Sequence, residues 1–287
     1  MMLVLLTIVA FNFEAGVLKL EKRDSFYVTR LLDSVYIYND TMKILGDYGV
    51  FNEKDNMLFV GGDVLLLTPE IRALSDSLMI REGGNIIHFM GSCEIVQKES
   101  DTLWGKQVKI VGDTLLATDS VRGHFTKKNL LFYADTLLAY DSTYILMGQD
   151  VWIKRIFRDT LVFKGAYLRI SGDTVFSDAA PVIEVGKYIV KGDTFYYQES
   201  DSSGSFFGSV TISWDSGIAT GDTVFFYLQD ESLDSLILTG KCNLQKRAEK
   251  NTVELNGSLF RVYFENDSLK ELVAESSHGV MRSRRNE

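Results

Sequence analysis

The residues of this chain with obvious chemical potential are three histidines, two cysteines and a recurring Gly-Asp-Thr triplet. Histidines four residues apart on a helix, or grouped with Cys and Asp, would suit a metal; one beside a Ser or Cys nucleophile would suit acyl transfer. His88, His124 and His278 show neither arrangement. His88 adjoins Phe89-Met90-Gly91 in an alternating run and reads as an ordinary strand residue. No Gly-x-Ser-x-Gly elbow and no Gly-rich phosphate loop occurs. Carboxylates are plentiful but scattered, so no pair is singled out for glycoside hydrolysis. The expectation is a non-enzymatic protein with no catalytic residue, metal site or cofactor.

The triplets begin at Gly112, Gly172, Gly192 and Gly221. They could present Asp to calcium, but calcium β-rolls use shorter and denser repeats. Turn chemistry accounts for them: Asp and Thr side chains bond nearby backbone, and Gly supplies unusual backbone angles.

The elements that carry these residues repeat. A unit opens with Asp and Ser or Thr, runs through an apolar stretch and a polar turn, and closes with an apolar pair, a Gly and a second alternating stretch. Copies run from Asp76-Ser77-Leu78 to Gly91-Ser92-Cys93, from Asp135-Thr136-Leu137 to Gly148-Gln149-Asp150, from Asp193-Thr194-Phe195 to Gly208-Ser209-Val210, and from Asp222-Thr223-Val224 to Gly240-Lys241-Cys242. Weaker copies begin at Asp113 and Asp173, and an earlier closing stretch holds Val60-Gly61-Gly62. Gly61, Gly91, Gly148, Gly208 and Gly240 are 30, 57, 60 and 32 residues apart, so the period is near 30, with two degenerate copies. That length suits two strands and two turns. Within a unit the period is two: Val210, Ile212 and Trp214 alternate with Thr211 and Ser213, and Phe260, Val262 and Phe264 alternate with Arg261 and Tyr263. No helical stripe is present, and residues 153–188 hold no unit that can be placed. The fold class expected is all-β.

Cys93 and Cys242 fall in the same slot, two residues after the closing Gly. Stacking the intervening repeats at about 4.8 Å per strand separates them far beyond the ~7 Å a disulfide spans. Two free, inward-facing thiols are expected.

With 287 residues, 46% of them hydrophobic, the chain can bury a sizeable core, and two prolines leave little room for linkers. A net charge of −9 argues against nucleic-acid binding and against an anionic membrane surface. Residues 1–10, MMLVLLTIVA, are too short to span a bilayer and fit the apolar core of an export signal, with Ala15 as the cleavage residue. The other reading of this run is a buried first strand. On the leader reading, residues 1–15 are a signal peptide and 16–287 one β-repeat domain, built of one or two repeat blocks.

The unit "apolar, Asp, apolar, turn, apolar-x-Gly-x-apolar" resembles the repeats of the OstA-like, LptA-type lipopolysaccharide-transport family, which also form the N-terminal domain of LptD. Leu238-Thr239-Gly240-Lys241-Cys242-Asn243-Leu244 and Ser205-Phe206-Phe207-Gly208-Ser209-Val210 are similar to it, and such pieces recur from Leu58 to Leu272. The resemblance implies an elongated open β-jellyroll, or β-taco, of stacked antiparallel strands. It implies a periplasmic lipid carrier that shields lipopolysaccharide acyl chains, joined edge to edge to itself or to related components. The inward residues it would offer to lipid are Val210, Ile212, Trp214, Val224, Phe226, Ile95 and Leu244; plain core packing is the competing reading for each. Other classes are a parallel β-helix acting on carbohydrate and a structural β-repeat protein of the envelope. An outer-membrane barrel is disfavoured by the polar C-terminus and by charges within strands.

Overall fold

The computed structural model describes residues 11–97, 101–126, 129–155, 161–229, 232–247, 251–265 and 268–283; the expected leader core lies outside them. The described residues are almost entirely β-strand, with a three-residue 3-10 turn at Glu82–Gly84. It divides into two compact units, the boundary falling between Leu146 and Met147.

The first unit holds β1 (Asn12–Glu14), β2 (Val17–Arg23), β3 (Phe26–Tyr38), β4 (Lys43–Asn52), β5 (Met57–Leu67), β6 (Ile71–Arg81), β7 (Ile86–Gln97), β8 (Thr102–Val111), β9 (Thr114–Phe125) and β10 (Leu130–Tyr140). The boundary lies within β11 (Thr143–Arg155). The second unit continues with β12 (Leu161–Ser171), β13 (Thr174–Ser177), β14 (Val182–Val185), β15 (Tyr188–Lys191), β16 (Thr194–Gln198), β17 (Ser203–Trp214), β18 (Gly217–Gln229), β19 (Ser232–Arg247), β20 (Asn251–Glu265), β21 (Ser268–Glu275) and β22 (His278–Ser283). The pairings in both units are antiparallel, and most join strands consecutive in the chain. This excludes a parallel β-helix.

The long strands are interrupted partway along by β-bulges. Two residues of one strand, such as Gly62 and Asp63 of β5, oppose one residue of the next, Asp76 of β6. In β18 the single residue is Asp222, facing Gly208 and Ser209 of β17. An extra residue leaves the ladder unpaired and kinks the strand. Buried residues are mostly two apart along each leg and three apart across the corners of β6 (Ser75 to Leu78) and of β5, where Val60 and Gly61 are both buried before it and Val64 after it. Both legs therefore keep an apolar face.

The Asp and Gly of the repeat are the two halves of this corner. Asp76 Oδ2 accepts the Ser92 N–H at 3.2 Å, and Asp222 Oδ2 accepts the Lys241 N–H at 3.2 Å. Gly91 and Gly240 have φ of +92° and +95°, and a Cβ on either would stand 2.0 or 2.2 Å from the facing carboxylate oxygen. Glycine is needed there both for its backbone angle and for the approach of Asp. The repeat thus runs out of phase with the strands: it starts and ends at mid-strand corners, where the sequence suggested a strand start and a closing strand. The Gly-Asp-Thr triplets divide into two jobs. Those at Gly112 and Gly172 make hairpin turns, whereas Gly192-Asp193 and Gly221-Asp222 lie at corners.

Residues 161–188 keep the pattern in broken form. β14 and β13 pair with the two halves of β12, and β15 and β16 with the two halves of β17. Pro181, which has no N–H for a ladder, lies in the gap between β13 and β14. Similarly β1 and β2 share β3, and β22 and β21 share β20.

The core is made of cross-strand rows. In the first unit Leu31, Gly49, Val60, Leu78, Phe89, Val108, Ala117 and Leu137 are successive register partners, all buried. On the other leg Ile37, Ile44, Leu66, Ala73, Ile95, Leu103, Gly123 and Phe132 form a second buried row. In the second unit Phe195, Phe206, Val224, Leu238 and Phe260 are partners across five strands and are at most 1% exposed.

Candidate functional site

An apolar space in the first unit opens between the two legs at its N-terminal end. Thr29 and Leu31 of β3, Phe51 of β4, Leu58 of β5 and Ile80 of β6 come from one leg, and Ile37 of β3 faces them from the other. Phe11 and Phe13 complete the wall on the Ile37 side, and Asn56 and Gly83 lie at the turns beyond the leg ends. The volume is about 240 Å³. Strand alternation produces this lining, since each residue is on the inward face of its own strand. The inward side chains of the terminal strands are themselves exposed: Phe13 is 46%, Leu18 51% and Leu20 59% exposed, and Leu18 and Leu20 are the register partners of inward Leu31 and Thr29.

The rim is polar. In the β4–β5 turn Glu53 accepts the Tyr27 N–H at 3.1 Å, and Lys54 Nζ stands 5.6 Å from the centre of the Phe26 ring. The arrangement offers a mainly apolar interior with the Thr29 hydroxyl and the Asn56 amide as its polar groups, which suits holding an apolar chain.

The sequence-predicted inward residues all lie on the inner faces. Val210, Val224, Phe226, Ile212, Leu244 and Ile95 are buried, and Trp214 is half-buried with its ring over Gly217. Ile212, Ala219 and Leu244 are register partners, so the structure does bring the predicted slots together. It does not bring them to an open slot. The space that Ile212, Trp214 and Leu244 border, with Tyr188, Phe260 and Phe264, is about 20 Å³, enough for a water-sized probe and nothing larger. Val224 and Phe226 are packed among rings: Phe226 stacks on Tyr197 at 6.1 Å and Phe195 at 6.3 Å. Ile95 belongs to the second buried row of the first unit. Sequence reasoning did not single out Phe11, Phe13, Phe51, Leu58 or Ile80; alternation would have marked them as inward, but nothing local marks a void.

The other candidates are structural. Cys93 and Cys242 are free and buried. Burial, with Asp76 nearby, pushes the Cys93 thiol up to about 11, and burial also raises Cys242. The Cys93 Sγ–H points to the Gly91 carbonyl at 3.4 Å, at the corner. Burial lowers the pKa of His88, against a raising hydrogen bond with Gln107, and Lys109 and Arg81 lower it further. Among the described residues no three His, Cys, Asp or Glu side chains are grouped to hold a metal ion. Compared with known proteins, the chain matches no protein-family model and no curated protein.

Proposed function

We propose that this protein is a non-enzymatic carrier that shelters lipid acyl chains between the legs of a bent antiparallel sheet, as OstA-like lipopolysaccharide-transport proteins do. The supporting observation is the apolar cleft of about 240 Å³ between the legs. Small-molecule pockets run from ~300 to 1,000 Å³, so the cleft as it stands takes part of one chain, and a lipid with several chains requires the legs to part. Each methylene moved from water into it contributes roughly 0.8 kcal/mol. The proposed setting is the periplasm, reached by export on residues 1–15. The unpaired outer edge of β2, a strand exposed along nearly its whole length, is the proposed place for edge-to-edge pairing with another copy or a related component.

A second reading, a structural β-repeat protein with a dry interior, is favoured by the 20 Å³ void of the second unit. One experiment separates the two. Protein purified without detergent is extracted with organic solvent, and the extract is analysed by mass spectrometry. The carrier reading expects stoichiometric acylated lipid, lost when Leu31 and Leu58 are both replaced by Glu. Lipid-free protein, with no uptake of added lipopolysaccharide, selects the structural reading.

A further inference from the structure

We propose that β1 is a removable cover on the cleft, so that lipid enters or leaves only when residues 11–14 leave β3. This rests on the carrier reading of the same cleft. The cleft runs inward from the terminal strands as far as Ile80 of β6, and Phe11 and Phe13 stand at its outer end. β1 is held by little. It is three residues long, pairs only through Asn12 with Tyr38, Phe13 with Ile37 and Glu14 with Tyr36, and is exposed throughout. Its companion β2 is seven residues long and pairs with the other leg of β3. A few ladder bonds at a sheet end open far more readily than a core strand.

The break between β1 and β2 is anchored on the β2 side. The Gly16 N–H bonds the Asp33 carbonyl at 2.9 Å, and a Cβ on Gly16 would meet Asp33 Cβ at 2.9 Å. Asp33 and Ser34 themselves sit at φ of +63° and +62°, in the bulge of β3. These contacts pin Gly16 and the start of β2 to the bulge, so movement at Ala15 can detach β1 while β2 stays paired. Detachment uncovers Ile37, now 2% exposed, and frees the backbone edge of Tyr36 to Tyr38. Processing after Ala15 would have the same consequence, because the cut removes β1 together with the leader. The precursor would be covered and the processed chain open.

The test locks the cover. Glu14 and Tyr36 are register partners, and paired Cα atoms ~4.5–5.5 Å apart are within disulfide reach. The full chain, produced without export so that residues 1–287 are retained, carries Glu14→Cys and Tyr36→Cys. Uptake of dansyl-labelled undecanoic acid is followed by fluorescence with the bond formed and then reduced; mass spectrometry verifies the state, and the reduced sample reports on folding. Uptake about tenfold slower in the oxidised form, restored by reductant, is expected of a gating segment. Phe13→Ala, with no crosslink, should speed uptake. Equal rates in the oxidised and reduced forms overturn the cover and leave the carrier reading standing. No uptake by either form, or by Phe13→Ala, overturns the carrier reading and the cover with it.

Discussion

Around Phe51 in the first unit the facing legs leave about 240 Å³, while around Ile212 in the second they leave about 20 Å³. Both interiors are made by the same strand alternation and the same Asp–Gly corners. What differs is the volume of the side chains that meet. The second-unit space is walled by the rings of Tyr188, Trp214, Phe260 and Phe264, with Tyr188 4.8 Å from Phe264 and 6.4 Å from Trp214, and elsewhere in that unit Phe163, Tyr197, Phe195, Phe206 and Phe226 form a ring cluster with centroids 4.9 to 6.4 Å apart. The mouth of the first is lined mainly by aliphatic residues of one leg, and only Ile37, Phe11 and Phe13 face them. One backbone plan therefore serves as a packed core or as a hollow, depending on what fills it.

The comparison is broken most directly by truncating one ring in each interior. Phe226→Ala should cost ~3–5 kcal/mol, because the surrounding rings cannot collapse into the space. Phe51→Ala, at a half-buried wall that already borders a void, should cost less than half of that. Denaturant unfolding of both variants decides it. Similar losses would mean that the first interior is as tightly packed as the second.

The corners should respond alike in both units. Gly91→Ala and Gly240→Ala each force a side chain into a left-handed backbone angle and against a carboxylate, a strain of ~1–3 kcal/mol apiece. Asp76→Ala and Asp222→Ala should each lose ~1 kcal/mol or less, since the bond they lose is exposed to water. If the first-unit corners tolerate these changes and the second-unit corners do not, the shared architecture is only apparent.

Much of this plan was legible in the sequence. Alternation identifies the inward face at Val210, Ile212, Leu244 and Ile95, and the Asp and Gly recurrence locates every corner that those residues flank. Its phase was not legible, because a β-bulge inside a strand and a turn between strands use the same residues. Residues 153–188 resisted because Pro181 and Gly192 split single strands into β13 and β14 and into β15 and β16, which removes the run length that marks a strand. The cleft was invisible for a different reason. Its lining comes from five strands, and emptiness is a property of summed side-chain volumes across facing legs rather than of any local pattern.

The mildest perturbation maps how far the hollow reaches. Cys93 and Cys242 occupy equivalent corner slots, one in each unit, four residues after inward Phe89 and Leu238. Both thiols are neutral well past neutral pH. With Cys93 at about 11 against an ordinary 9.0, its thiolate fraction at pH 8 is reduced by about a hundredfold. Alkylation by iodoacetamide should therefore be slower than for an unfolded thiol by at least that factor, and slower still through lack of access. The pH dependence has a definite sign. The thiolate is favoured in the unfolded chain, so Cys93 adds no pH dependence to stability below about pH 9, and its contribution falls as pH rises from 9 towards 11. Rapid labelling of Cys93 at pH 8, with Cys242 protected, would show that the hollow of the first unit extends from its mouth to the corner. Equal protection of the two confines it to the end nearest β1, where Phe11 and Phe13 stand.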